Sequence, residues 1–280
     1  MARLASRLAT EGRSLANAEK SEQRTRDSQD AARRRREIAH ARELARLSQP
    51  AIHYVPIRPP EPEKLRVLYL TANPDATEIE RVEADGTYVR EGVWLRVDRE
   101  VRSVRQAIRG SRFRDRVEIH HMPAATSQDI LEDINDHRPH IIHFSGHGGG
   151  QALYMESDNP DATEGVDLEF GLLAAALSAT TTPPSLIVLN ACETLDGAEE
   201  LLNAAPVIIA MSENILDDAA SVFAKQFYAA VASAQSVGAA LKQSRVALEM
   251  ASLDQEDVPE HICRDDVDID NLVLVVPPSQ

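Results

Sequence analysis

From residue 64 onward, short runs of apolar and β-branched residues alternate with longer stretches whose apolar positions recur at helical spacing. The runs LRVLYLT (65–71), RVEIHHM (116–122), HIIHFS (140–145), SLIVLNA (185–191), PVIIAMS (206–212) and NLVLVV (271–276) read as strands. Between them, WLRVDREVRSVRQAIRG, SQDILEDINDH, DLEFGLLAAALSA, ILDDAASVFAKQFYAAVASA and SVGAALKQSRVALEM carry helical stripes, with Asp and Ser where N-caps belong. Strands alternating with helices predict an α/β fold, a mostly parallel six-stranded sheet flanked by helices. The stripe of Trp94, Val97, Val101, Val104 and Ile108 predicts a helix packed on the core, with Trp94 inside it. QALYMESDNPDATEG (151–165) reads as a short hairpin and loop.

The first 49 residues follow a different pattern. They are rich in Ala, Arg, Glu and Gln, with one Gly and no Pro before Pro50, so propensity favours a helix. Leu4, Leu8, Leu15 and Ala18 fall near heptad spacing, but residues 19–37 have almost no apolar stripe. Such a helix is expected to dock on a partner or pair weakly as a coiled coil. Pro56, Pro59, Pro60 and Pro62 then impose an extended linker. The expected organisation is a helical arm at 1–49, a linker at 50–63 and a single domain at 64–280.

Charge separates the same parts. Residues 1–50 hold 12 Lys/Arg against 7 Asp/Glu, a net of +5, whereas the whole chain carries −15 and the remainder therefore −20. An acidic body is a poor nonspecific partner for phosphates. Only the basic arm, with Arg33 to Arg36 in a row, is a candidate for nucleic acid; the other reading is the solvated face of a charged helix. Charge interrupts the N-terminus too often for a signal-peptide core, and no run reaches the roughly 18 apolar residues of a membrane span. Two cysteines make no disulfide framework, so a cytoplasmic chain is expected, with no membrane contact and no cofactor.

Two strand ends carry unusual chemistry. SGHGGG follows HIIHF and sets His147 just beyond one strand; NACET follows SLIVL and sets Cys192 at the end of the next strong one, 45 residues later. Ligands of open parallel sheets bind outside the carboxyl ends of strands. A cysteine attacks as its thiolate and needs a base nearby, and a neutral imidazole both takes that proton and returns one to a leaving amine. Glycines allow a bound carbonyl to come close to backbone N–H donors, so the amides of Gly148 and Cys192 are candidate oxyanion donors. A histidine followed about 50 residues later by Ala-Cys is also the caspase layout. Cys263, in EHICRDD, reads as a bystander.

These stretches resemble the CHAT family of caspase-like cysteine peptidases. HIIHFSGHGGG and LIVLNACET carry the resemblance most specifically, and IIAMSENILDDAASVFAKQFYAAVASAQSVGAALKQSRVAL and LRVLYLTANP extend it over about residues 64–277. It implies a caspase-like fold, His147 as base and acid, Cys192 as nucleophile, and a protein substrate. It also implies activation by a partner or signal, for which residues 1–49 are the expected contact, in a prokaryotic defence or regulated-proteolysis system. The alternative is a silent caspase-fold adaptor acting through the arm. Asn190, two before the cysteine, would line the pocket for the residue preceding the cut; Asp217 and Asp218 either add negative charge there or cap the next helix.

Metal chemistry has less support in the sequence. His140 and His143 point to opposite faces of one strand, His120 and His121 likewise, and there is no H-E-x-x-H or paired-Cys motif. No metal site is expected.

Overall fold

A computed structural model describes residues 26, 33, 36, 40, 63–74, 78–82, 88–92, 94–149, 151–159, 161–162 and 164–277. The chain divides into two compact units, Met1–Arg58 and Pro59–Gln280. In the first, Arg26, Arg33, Arg36 and His40 are helical and exposed. The expected coiled-coil pairing and the proline linker at 50–63, its last residue Glu63 apart, lie outside the described residues.

The second unit is built on a six-stranded sheet. Its strands are β1 (Leu65–Thr71), β4 (Val117–Met122), β5 (Ile141–Ser145), β9 (Leu186–Asn190), β10 (Val207–Met211) and β11 (Pro259–Cys263), in spatial order β11-β10-β9-β5-β1-β4. All neighbours are parallel except β10 and β11, which run antiparallel. A hairpin of β2 (Glu78–Val82) and β3 (Tyr88–Gly92) stands apart from it. A small three-stranded sheet, β6 (Gly148–Gly149), β7 (Ala152–Met155) and β8 (Val166–Glu169), follows β5.

The pleat sorts the strand residues into two cores, because successive side chains leave a strand on opposite faces. Leu65, Val67 and Tyr69 of β1 join Leu186 and Val188 of β9 on one face, under α1 (Val97–Gly110), α4 (Asp217–Val231) and α5 (Val237–Met250). Leu68 and Leu70 join Ile142, Phe144, Ile187 and Leu189 on the other, under α2 (Ser127–His137) and α3 (Phe170–Ser178). Covered on both faces, β5 and β9 are buried along their whole length. Helix α2 begins with a reciprocal capping box between Thr126 and Asp129 and ends on Arg138 in the left-handed region, φ 44°.

Two expectations are corrected. The sixth strand is Pro259–Cys263, not 271–276, where Val273 makes only an isolated bridge to Ser236. The apolar run instead crosses the start of α5, where Leu272 O accepts from Val237 N (2.8 Å) and Ile269 O from Gly238 N (2.9 Å). It satisfies helix-terminal donors that have no partner within the helix. Trp94 is 67% exposed and precedes α1, which starts at Val97; of the predicted stripe only Val101, Val104 and Ile108 are buried.

Candidate active site

Strands β5 and β9 are adjacent and parallel, with Ser145 opposite Asn190. Two residues beyond that rung stand His147 and Cys192. The backbone of each loop is tightly held. A Cβ on Gly146 would lie 2.5 Å from Ala72 O, and one on Gly148 would lie 3.0 Å from both Ala191 Cβ and Thr194 Cγ2. The histidine loop therefore packs against the cysteine loop so closely at Gly148 that a side chain there would push its neighbours by a few tenths of an ångström. Thr194, fully buried, donates to Ala191 O (2.9 Å) and accepts from Met211 N (3.1 Å), knotting the cysteine loop to β10.

Hairpin geometry orients the Gly148 amide. Tyr154 N donates to His147 O (3.1 Å), which makes Gly148 and Leu153 a non-hydrogen-bonded pair of the β6–β7 ladder. The Gly148 N–H therefore faces away from β7. His147 is buried, 8% exposed, whereas Cys192 is half-buried with its Sγ 3.7 Å from Ile215 O. Glu193, next along, adopts φ 51° and donates its N–H to Glu213 O (3.2 Å), joining the loops after β9 and β10.

The sequence matches the CHAT domain family over residues 4–265. The chain belongs to this family. The match begins within the basic arm, some 60 residues before the resemblance read from the motifs. No curated protein matches the CHAT chain in sequence. Among solved structures it is similar to the Arg-specific cysteine proteinase gingipain R, at 13% identity over 74% of this chain and 47% of that one, TM-score 0.46. A secreted C11 cysteine protease from Bacteroides thetaiotaomicron matches at 13% identity over 61% of this chain and 57% of that one, TM-score 0.40. Caspase-1 from Spodoptera frugiperda matches at 11% identity over 72% of this chain and 87% of that one, TM-score 0.43. The chain spans about half the length of the first two.

Beneath the loops of this CHAT domain lies a buried polar cluster that was not legible from motifs. Glu100 of α1 accepts from the Tyr69 hydroxyl on one oxygen and from Asn190 Nδ2 (2.9 Å) on the other. His143 stacks on Tyr69 with ring centroids 4.0 Å apart and shares a hydrogen bond of 3.2 Å between its Nδ1 and the Tyr228 hydroxyl. Its Nε2 lies 3.4 Å from Glu100 Oε1 but without hydrogen-bond alignment. Burial pushes the His143 ring below its ordinary pKa against the pull of Glu100, and pushes both tyrosines well up.

Asn190 belongs to this cluster. It is 2% exposed, with Nδ2 bonded to Glu100 and to Ala220 O (3.2 Å), so it does not line an open pocket as the sequence suggested. The α4 aspartates are also occupied elsewhere. Asp217 accepts from Arg96 N (3.0 Å) and Asp218 pairs with Arg99 (3.2 Å), tying α4 to the start of α1; neither caps α4, whose N-cap Leu216 has no side-chain bond.

Negative charge is found closer to the cysteine. A cavity of about 390 Å³ opens at Glu193 and is lined by Asp196, Ser212, Glu213 and Asn214. These residues come from the loops after β9 and β10, and the acidic pair Glu193 and Glu213 flanks the Cys192 turn. Among the described residues one group has the makings of a metal site, His120, Asp133 and His137, against the expectation of none. It lies at β4, two strands from β5. No helix among the described residues is long and apolar enough to cross a membrane.

Proposed function

We propose that this CHAT domain is a cysteine endopeptidase in which Cys192 is the nucleophile and His147 its base and acid. The observation that carries the reading is the β5–β9 register, which gives both residues the same position beyond paired strand ends. His147 takes the thiol proton as Sγ attacks the peptide carbonyl carbon. The carbonyl oxygen becomes an oxyanion held by the N–H groups of Gly148 and Cys192; the outward-facing Gly148 amide supports that role. As the C–N bond breaks, His147 delivers its proton to the leaving amine. Water, deprotonated by the same ring, then hydrolyses the thioester and restores the thiol.

The acidic cavity at Glu193 and Glu213 is the proposed subsite for the residue before the cut, and its charge favours Lys or Arg. It replaces Asn190, Asp217 and Asp218 in that role. The Ile215 carbonyl lies beside the thiol, so the 212–216 loop is the proposed route by which a partner changes the nucleophile's surroundings. From the family resemblance we read a partner-activated, cytoplasmic enzyme of a prokaryotic defence or regulated-proteolysis system, with residues 1–49 as the partner contact.

The test is a proteome-wide comparison of new N-termini made by the intact chain and by Cys192→Ala. Cut sites seen only with the intact chain support the peptidase. Cut sites that survive the substitution contradict it. Partner capture with no cut sites from either chain is the result expected of an adaptor.

A further inference from the structure

Strand β4 sends its two adjacent histidines to opposite faces. His121 turns to the α1 side, where its Nε2 meets Thr71 Oγ1 at 2.9 Å. His120 turns toward α2, which presents Asp133 and His137 one turn apart. Within a strand the two histidines are separated, but the neighbouring helix supplies His120 with new company.

The resulting arrangement is chemically incomplete. The Nε2 atoms of His120 and His137 each lie 3.6 Å from Asp133 Oδ1, and the two rings stack with centroids 3.6 Å apart. One ligand atom from each of the three residues lies within 4.8 Å of the others. Asp133 is 5% exposed, and its Oδ2 is buried with no hydrogen-bond partner. A buried carboxylate oxygen without a donor is costly.

A divalent cation resolves the difficulty, since it is held by both imidazole nitrogens and by the buried carboxylate, whose charge it compensates. Zinc bonds to His nitrogen and carboxylate oxygen of about 2.0–2.2 Å put tetrahedral ligand atoms roughly 3.3–3.5 Å apart, close to the two 3.6 Å spacings to Asp133 Oδ1; the stacked rings turn out of their stack to aim both nitrogens at one ion. Two imidazoles and one carboxylate are a borderline donor set that suits zinc over magnesium or calcium. The side chains of His120 and His137 are 38% and 34% exposed, so water can reach the remaining coordination position.

We propose that His120, Asp133 and His137 bind one zinc ion, with water completing its shell, and that the ion staples α2 to the edge strand β4. The staple bears on the site through the other end of the helix. Ala125, just before α2, donates to Thr71 O and accepts from Glu156 N (2.9 and 3.0 Å), at the end of the hairpin strand that follows His147.

The test is calorimetric titration of zinc chloride into the metal-free full chain carrying Cys192→Ala, which removes the thiol as a competing ligand. One zinc binds per chain and the Tm rises. His120→Gln and His137→Gln each weaken binding at least about tenfold, because losing a direct ligand exceeds the effect of losing its supporting partner. The double variant loses the site. As a readout that needs no variant of these residues, zinc protects His120 and His137 from diethyl pyrocarbonate, mapped by mass spectrometry. Absence of uptake, binding unchanged in the double variant, or histidines left unprotected by zinc each overturn the site. None of these results depends on whether Cys192 is catalytic.

Discussion

Ser145 and Asn190 face each other across β5 and β9, and each is followed two positions later by a residue of the proposed dyad. Parallel strands ending on one rung deliver their next residues to the same edge of the sheet, where ladder bonds stop and loops begin. The close approach of Gly148 to Ala191 and Thr194 then holds the two loops together. The consequences fall on identifiable atoms.

Gly148→Ala places a methyl 3.0 Å from Ala191 Cβ and Thr194 Cγ2. One loop must move, at a cost of about 1–3 kcal/mol of stability, and His147 moves with it. Denaturant unfolding and peptide cleavage both decline. A variant with full activity contradicts the contact.

Asn190→Ala removes a donor to the buried Glu100 carboxyl and leaves a small void. The expected loss is about 1–3 kcal/mol, read from the urea midpoint. If Asn190 instead lined the substrate pocket, stability would hold and only KM would change.

Stability should fall in mild acid. His143 is held below its ordinary value of about 6.5 by burial, beside Glu100, Tyr69 and Tyr228. Burial and Arg66 lower His140 in the same direction against Glu63, and its Nδ1 accepts from Arg66 N (3.0 Å). Below about pH 6.5 the unfolded chain takes up protons that the folded rings refuse. This contribution is complete above that pH and is lost as pH falls toward the folded pKa values. Urea midpoints measured from about pH 8 to 5 show the decline, and His143→Gln reduces the slope. An unchanged slope in that variant removes His143 from the account.

On the proposed function, the charge of the cavity at Glu193 sets side-chain preference. Glu193→Gln with Glu213→Gln lowers kcat/KM for peptides with Lys or Arg before the cut by at least about tenfold, and leaves peptides with a neutral residue there little changed. Equal losses on both peptide series would point to a structural role for the two carboxylates.

Four of the five parallel strands were legible as apolar runs buried along nearly their whole length, and the edge strand β4 by its β-branched residues Val117 and Ile119; His147 and Cys192, the proposed dyad, stood out because they follow two of the buried strands. The antiparallel edge strand was not. Pro259–Cys263 carries Glu260 and His261 and is half-buried, so it has no apolar periodicity, while the more apolar 271–276 is spent on the start of α5. Helical stripes located α1 but overextended it to Trp94, which precedes the first turn. Parity along β4 separated His120 from His121 correctly, yet parity within one strand says nothing about the Asp133 and His137 that meet it from α2. Asn190 was placed by analogy with a pocket position; only the structure shows Glu100, 90 residues away, beneath it.

The central claim, that His147 activates Cys192, is tested most directly by active-site labelling. A peptidyl chloromethyl ketone ending in lysine is reacted with the intact chain and with His147→Ala, each with and without candidate activating partners, and the modified cysteine is mapped by mass spectrometry. The account predicts alkylation of Cys192 in preference to Cys263, slowed by about 10²–10⁴ in His147→Ala. Equal labelling of both cysteines, or a Cys192 rate indifferent to His147, contradicts it.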